Sequence, residues 1–148
     1  SPALFQSLHL PGPGEWRGGL AQSFTLGVAG DKPFTFSGLY DRMHNAAAGV
    51  MGGRDGAVGK LLTRSGEPLR AKTRVTLPPG EKVTLELPGG GGYGPPHARA
   101  ADAVVADVRA GYISKESATR DYGIVFTADS LTINTEETHR RRAQMAGE

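Results

Sequence analysis

The stretch VTLELPGGGGYGPPHARAADAVVADVRAG places the tightest constraint on what this chain can become. Val83, Leu85 and Leu87 alternate as on a strand, whereas Ala101, Val104, Val105 and Val108 share one stripe of a helix. Between them stand four consecutive glycines, Tyr93, Gly94 and two prolines. Glycine loses more backbone freedom on ordering than any other residue. A fold therefore keeps such a run where main chain must pass close to something or take positive φ. Two readings follow: a tight strand-to-helix crossover, or a loop pressed against a partner subunit or a substrate pocket. The remaining glycine is clustered in the same way. The 22 Gly and 10 Pro, about a fifth of the 148 residues, gather at 11–19, 49–59 and 88–96, which implies shaped loops on a folded frame.

Read literally, Gly89-x-Gly91-x-x-Gly94 is a dinucleotide fingerprint, but the chemistry around it argues against that role. The fingerprint needs a helix that begins inside the motif, so that free N–H groups face a pyrophosphate. Here Pro95 and Pro96 follow at once, removing two donors and holding the chain extended. The preceding strand has a wet face, and no second parallel strand ending in an acid follows about 20 residues on. GGRDGAVGKLL imitates a phosphate loop, yet Arg54 stands where its first glycine belongs and Leu61 where its magnesium hydroxyl belongs. There is no GxSxG elbow. His9, His44, His97 and His139 are scattered with no HExxH, so no self-contained metal site is expected.

The bulk numbers fit an ordinary globular chain: 38% apolar, 22% charged, formal net charge +2. That charge is too small to predict a nucleic acid partner. The one basic run, His139-Arg140-Arg141-Arg142, reads as the solvated end of a helix. Cysteine is absent, which excludes disulfides and thiolate metal sites and permits a cytoplasmic location. No apolar run approaches the roughly 18 residues of a spanning helix, so no membrane partner is expected. The opening SPALFQSLHLPGPG lacks the basic and apolar regions of a signal peptide.

Periodicity predicts one α+β domain over 1–148. An antiparallel β-rich unit spans about 20–90, within a β-rich region covering 1–97, and short helices fill a tail 98–148. LAQSFTLGV and PFTFSGLY read as strands, and KLLTRSGEPLR reads as a short hairpin turning at Ser65-Gly66. In TRVTLPPGEKVTLELPG, Val75 and Leu77 alternate before a Pro78-Pro79-Gly80 turn, and Val83, Leu85 and Leu87 after it. Polar residues fill the other parity, as in antiparallel sheets with one wet face. Ser114 caps a helix over SKESATRDYG that Gly123 closes. IVF and LTI suggest a small hairpin around Ala128-Asp129-Ser130, and Thr135 is expected to cap a last helix.

ELPGGGGYGPPHARAADAVVADVRAGYISKESATRDYGIVF resembles the C-terminal part of hydantoinase B/oxoprolinase proteins, where a glycine-rich loop precedes a helix and an RDYG segment. GPGEWRGGLAQ and YDRMHNAAAGVMGGRDGAVGKLL are similar to two upstream segments of that family, in the same order. The resemblance implies an ATP-dependent cyclic-amide hydrolase or ketone carboxylase. In such enzymes ATP phosphorylates an amide or enolate oxygen, and the activated species is then hydrolysed or carboxylated. It implies larger hydantoinase A-type and B-type partner subunits, with ATP and magnesium at the level of the complex and no cofactor on this chain. Family members are several times longer. The chain is therefore expected to be a separately encoded small subunit, as Ser1-Pro2 after a removed methionine would suit, or a processed fragment. The family's proline ahead of the central glycines is replaced by NAAAG, so the neighbourhood of Asn45–Gly49 is expected to differ.

Each candidate site residue carries two readings. Arg17, beside Gly18 and Gly19, suits an anion gripped across an interface or a structural ion pair. Asp41 and Arg42 suit a partner contact or a local salt bridge. Arg54 and Asp55 suit a shared active site or a solvated turn. Tyr93, with Gly91 and Gly92 before it, suits packing or an interface, and His44 is the candidate for proton transfer. The expected role is that of a subunit completing a hydantoinase-B-like component, the chain alone not being catalytic. The alternative is a free-standing β-rich module that binds a small ligand.

Overall fold

The computed structural model describes residues 4–8, 11–128 and 130–147, with main chain alone for 4–8. Its order is six strands and then three helices: β1 (Leu4–Leu8), β2 (Ala21–Gly27), β3 (Phe34–Leu39), β4 (Lys60–Thr63), β5 (Lys72–Leu77), β6 (Lys82–Leu87), α1 (Ala101–Arg109), α2 (Lys115–Tyr122) and α3 (Thr135–Gly147). This is the expected α+β order. Strand β1 was not anticipated from the sequence.

Two antiparallel sheets make the β unit. One has the order β1-β2-β6-β4; the other is β3 paired with β5. Strands β5 and β6 flank the Pro78–Gly80 turn, where Gly80 takes φ 76° and the Glu81 N–H donates to the Pro78 carbonyl. They do not pair with each other. Leu77 of β5 lies opposite Phe34 of β3, while Val83 of β6 lies opposite Leu26 of β2 and Thr63 of β4. The turn therefore carries the chain from one sheet to the other. The alternation on both strands buries one set of side chains between the sheets, where Leu61, Leu77, Val83 and Leu85 form a core with Phe24, Phe34, Phe36 and Met43. The KLLT segment turns at Gly66 (φ 87°) as expected, but its return is narrow: a bridge between Leu62 and Pro68, and the Leu69 N–H on the Leu61 carbonyl.

The helices build a second core from Val104, Ile113, Ala118, Tyr122 and Ile124. Helix α2 has both expected ends. The Ser114 hydroxyl accepts from the Ser117 N–H, and Gly123 closes the helix at φ 69°. The expected cap of α3 moves by one residue, since the Asn134 side chain accepts the Glu137 N–H. Arg140 pairs with Glu136 and Glu137 on the helix surface, whereas Arg142 is tucked in and donates to the Tyr122 carbonyl at the end of α2. The basic run thus lies inside α3 rather than at its last turn. The expected hairpin after Gly123 is a single bridge between Phe126 and Ile133. Asp129 and His9 lie outside the described residues. Among the described residues no helix is long and apolar enough to cross a membrane.

Tyr122 is fully buried, and its hydroxyl meets no hydrogen-bond partner among the described residues. Its ring supplies the stabilisation and its oxygen does not. Tyr122→Phe is therefore expected to leave stability within about 0.5 kcal/mol or raise it. Tyr122→Ala is expected to remove roughly 3–5 kcal/mol, as read by denaturant melts of both variants.

Candidate functional site

Among the described residues the helices make no substantial contact with the strands; the three glycine clusters stand between the two cores. Segment 88–94 leaves β6 and is held by segments 11–19 and 46–56. The Gly12 N–H donates to the Gly90 carbonyl (2.8 Å) and the Gly90 N–H to the Gly19 carbonyl (3.0 Å). Trp16 and Tyr93 exchange both main-chain bonds (2.9 and 2.8 Å). From the other side the Val50 N–H donates to Gly92, Gly92 to Arg54 and Gly94 to Val50, each at 2.9 Å. The Arg54 N–H closes the triangle on the Pro13 carbonyl at 2.7 Å. A Cβ on Gly18 would meet the Gly90 carbonyl, and one on Gly92 would meet the Pro13 carbonyl. Main chain packs directly on main chain here, at separations no side chain permits.

This arrangement answers the question of the GGGGYG loop. The N–H groups of Gly90, Gly92, Tyr93 and Gly94 are all committed to carbonyls of the same chain. A phosphate cradle needs such donors free and aimed at one point. The loop is a strand-to-helix crossover that its own chain has clamped.

Around this lattice the structure gathers most of the candidate residues, and it links two of them to acids the sequence reading passed over. Arg17 Nε and Arg99 Nη2 both donate to Asp107 Oδ2 at 3.0 Å, while Arg99 Nη1 donates to the Glu15 carbonyl. The Arg17 guanidinium also lies 5.1 Å from the centre of the Tyr112 ring. Arg54 Nη1 reaches Asp121 Oδ1 at 2.7 Å, and Arg120 and Ser117 donate to the same carboxylate. Each guanidinium thus joins a glycine segment to a helix: α1 through Asp107 and α2 through Asp121. One signal in the sequence pointed to Asp107, which follows Val104 by three residues and so shares the apolar stripe of α1. An acid on a buried stripe requires a cation.

Burial pushes the Asp121 carboxyl up, but hydrogen bonds from Arg120 and Ser117 and the charges of Arg120 and Arg54 outweigh it and hold the group below the usual carboxylate range. Asp55 accepts the Gly49 N–H at 2.8 Å and fixes the central loop. Gly91 backs onto the Ala48 carbonyl, and Gly19 faces open space.

Four large apolar side chains stand out from the lattice, beside the exposed Arg54 and Asp55. Bridges place Trp16 and Val50 on either side of Tyr93, and Met51 follows Val50. Trp16 is 67% exposed, Met51 70%, Val50 53% and Tyr93 51%. The other candidates, Asp41, Arg42 and His44, sit apart from the lattice on a groove of about 850 Å³ beside β4. Among the described residues no group of three or more His, Asp or Glu side chains is placed to hold a metal ion.

Comparison with known proteins identifies relatives of the chain and of its fold. A family profile described as hydantoinase B/oxoprolinase matches residues 9–96. A protein of Pseudomonas sp. (strain NS671), named as the B component of a D-/L-hydantoinase, is 34% identical over 139 residues, covering 88% of this chain and 22% of that protein. The crystal structure of an ATP-dependent caprolactamase from Pseudomonas jessenii superposes with a TM-score of 0.73 at 30% identity, covering 95% of this chain and 25% of the other. A nucleotide-free acetone carboxylase structure shares the fold, with a TM-score of 0.67 at 20% identity over 97% of this chain and 25% of the other. The chain therefore spans about a quarter of the length of these relatives.

Two outcomes test the lattice. Gly92→Ala is expected to lose several kcal/mol or fail to fold, because its Cβ would overlap a fixed carbonyl. Gly19→Ala is expected to be neutral or stabilising by about 0.4–1 kcal/mol, since it faces open space at negative φ; thermal melts distinguish them. For Asp121, the lowered native carboxyl value means stabilisation that is present above about pH 4 and lost as pH falls through the native value. Asp121→Asn is expected to reduce stability at neutral pH by about 1–3 kcal/mol and to flatten the acid limb of a stability–pH profile.

Proposed function

The chain belongs to the hydantoinase B/oxoprolinase family, and from that premise we propose that it completes the hydantoinase-B-type component of an ATP-dependent cyclic-amide hydrolase or ketone carboxylase, seated on larger hydantoinase A-type and B-type chains. The observation that carries this reading is the apolar face of the lattice: Trp16, Val50, Met51 and Tyr93, all more than half exposed on a rigid backbone frame. Large apolar side chains grouped on one surface mark an interface, and tryptophan and tyrosine are the residues that most often dominate one energetically. The body they would meet is the remaining three quarters of a hydantoinase-B-type protein, since the chain covers 22–25% of its relatives.

The chemistry proposed for the complex is ATP-driven activation of an amide or enolate oxygen, which makes a poor electrophile or leaving oxygen competent for hydrolysis or carboxylation. Nucleotide and magnesium belong to the larger chains in this proposal. The N–H groups of Gly90, Gly92, Tyr93 and Gly94 are committed internally, and no step of the phosphoryl chemistry is assigned to this chain's residues. Its contribution is a rigid, preshaped surface, which limits the ordering entropy lost on assembly.

Trp16 is the chain's single tryptophan, so its fluorescence reports on this face alone. Mixing the chain with the purified larger subunits of its enzyme is expected to shift Trp16 emission to the blue. Trp16→Ala is expected to weaken assembly at least tenfold, about 1.4 kcal/mol or more, without changing the melting temperature of the isolated chain. Emission that stays unchanged at stoichiometric mixing, with no co-elution, would sink the reading and favour a free-standing binding module.

A further inference from the structure

The groove beside β4 has features that the subunit role does not use. Its walls are the exit of β3 (Tyr40–Asn45), the start of β4 (Gly59–Leu62) and the approach to β5 (Pro68–Lys72), enclosing about 850 Å³. Main-chain bonds fix these walls to one another: the Tyr40 N–H on the Ala71 carbonyl, the Leu69 N–H on the Leu61 carbonyl and the Gly59 N–H on the Arg42 carbonyl, at 2.8–2.9 Å. Leu61 is fully buried at the base, with half-buried Tyr40, Met43, Leu62 and Leu69 around it. The polar lining is strongly one-sided. Arg42, Lys60, Arg70 and Lys72 line the groove beside His44 and Asn45, with Asp41 as the sole acid, and Lys60 alone of the four cations has an ion-pair partner, Glu86, among the described residues.

Arg42 is the telling residue. It takes φ 57°, one of two non-glycine residues with positive φ among those described. A side chain there costs about 1–2 kcal/mol relative to the ordinary helical region, whereas glycine adopts it freely. A residue held in such a conformation at the rim of a cavity points to a use for its side chain.

We propose that this groove binds a small organic anion, a phosphate ester or carboxylate with an apolar ring. Its acid group lies among Arg42, Arg70 and Lys72, and its ring lies over Leu61, Leu62 and Leu69. A guanidinium offers paired donors to either acid group, and the ammonium adds charge without demanding orientation. The apolar base supplies affinity that an inorganic ion would lack. The site stands independently of the assembly reading, since it lies apart from the Trp16 face.

The test is a titration of the full chain, followed by amide correlation spectra, with phenylphosphate, benzoate, inorganic phosphate and phenol. Phenylphosphate, benzoate or both are expected to shift the Gly59, Leu61 and Leu69 amides saturably, binding at least tenfold more tightly than inorganic phosphate or phenol. Which of the two binds more tightly identifies the acid group. Arg42→Gly suits the backbone at that position, so it is expected to keep the fold and melt no lower, yet weaken binding at least tenfold. Lys72→Met is expected to lose several-fold in affinity. Phenylphosphate and benzoate both binding no more tightly than inorganic phosphate, shifts confined to residues outside the groove, or undiminished affinity in Arg42→Gly would each overturn the proposal.

Discussion

Contact of main chain with main chain, with no side chain between, is the constraint on which the rest of this structure depends. Segments 11–19, 46–56 and 88–94 bond to one another in a closed triangle, and glycine is what allows the approach. Glycine is usually a source of looseness, because it leaves so much freedom to be lost. Here that loss is offset by many hydrogen bonds, several of them on buried glycines such as Gly12, Gly92 and Gly94, where an unpaired group would be expensive. The same geometry explains why the loop cannot act as a nucleotide cradle. A donor given to a carbonyl is no longer available to a phosphate.

The lattice divides the apolar interior in two. The sheets close over Leu61, Leu77, Val83 and Leu85, and the helices over Val104, Ile113, Tyr122 and Ile124. The two cores are joined through the glycine segments, with the guanidinium groups of Arg17 and Arg54 reaching the buried acids Asp107 and Asp121. Two guanidinium groups share each acid, so neither carboxylate is left uncompensated. A frame tied in this way presents Trp16 and Tyr93 outward without collapsing onto them, which suits a surface meant for another body.

Local rules were legible where one residue settles a local geometry. Ser114 as cap, Gly123 as left-handed terminator and the turn glycines Gly66 and Gly80 stand where their chemistry places them. Alternation identified which residues of β5 and β6 face inward, but on β2 Leu26 is exposed and Ser23 buried, Leu39 of β3 is exposed, and the pattern was silent on pairing. Strands β5 and β6 flank one turn and enter different sheets, because a strand's apolar face says only that something covers it. The cap of α3 fell on Asn134 rather than Thr135, a choice between adjacent residues with similar side-chain acceptors. The candidate residues were legible as a set of charges and glycines but not as two places. Arg17, Arg54, Asp55 and Tyr93 converge on the lattice, whereas Asp41, Arg42 and His44 line a separate groove.

By itself the sequence determined the class of architecture, the unsuitability of the proline-flanked glycine loop for a dinucleotide, and a likeness to one family, because these follow from residue type, order and local spacing. The tertiary structure alone decided which glycines pack on which carbonyls, that Arg17 and Arg54 answer acids 90 and 67 residues away, and that Trp16 and Tyr93 stand side by side. The physical reason is that a main-chain donor or a guanidinium accepts any oxygen of suitable geometry. Its partner is therefore chosen by where the whole chain brings an oxygen within reach, and nothing in the local sequence records that.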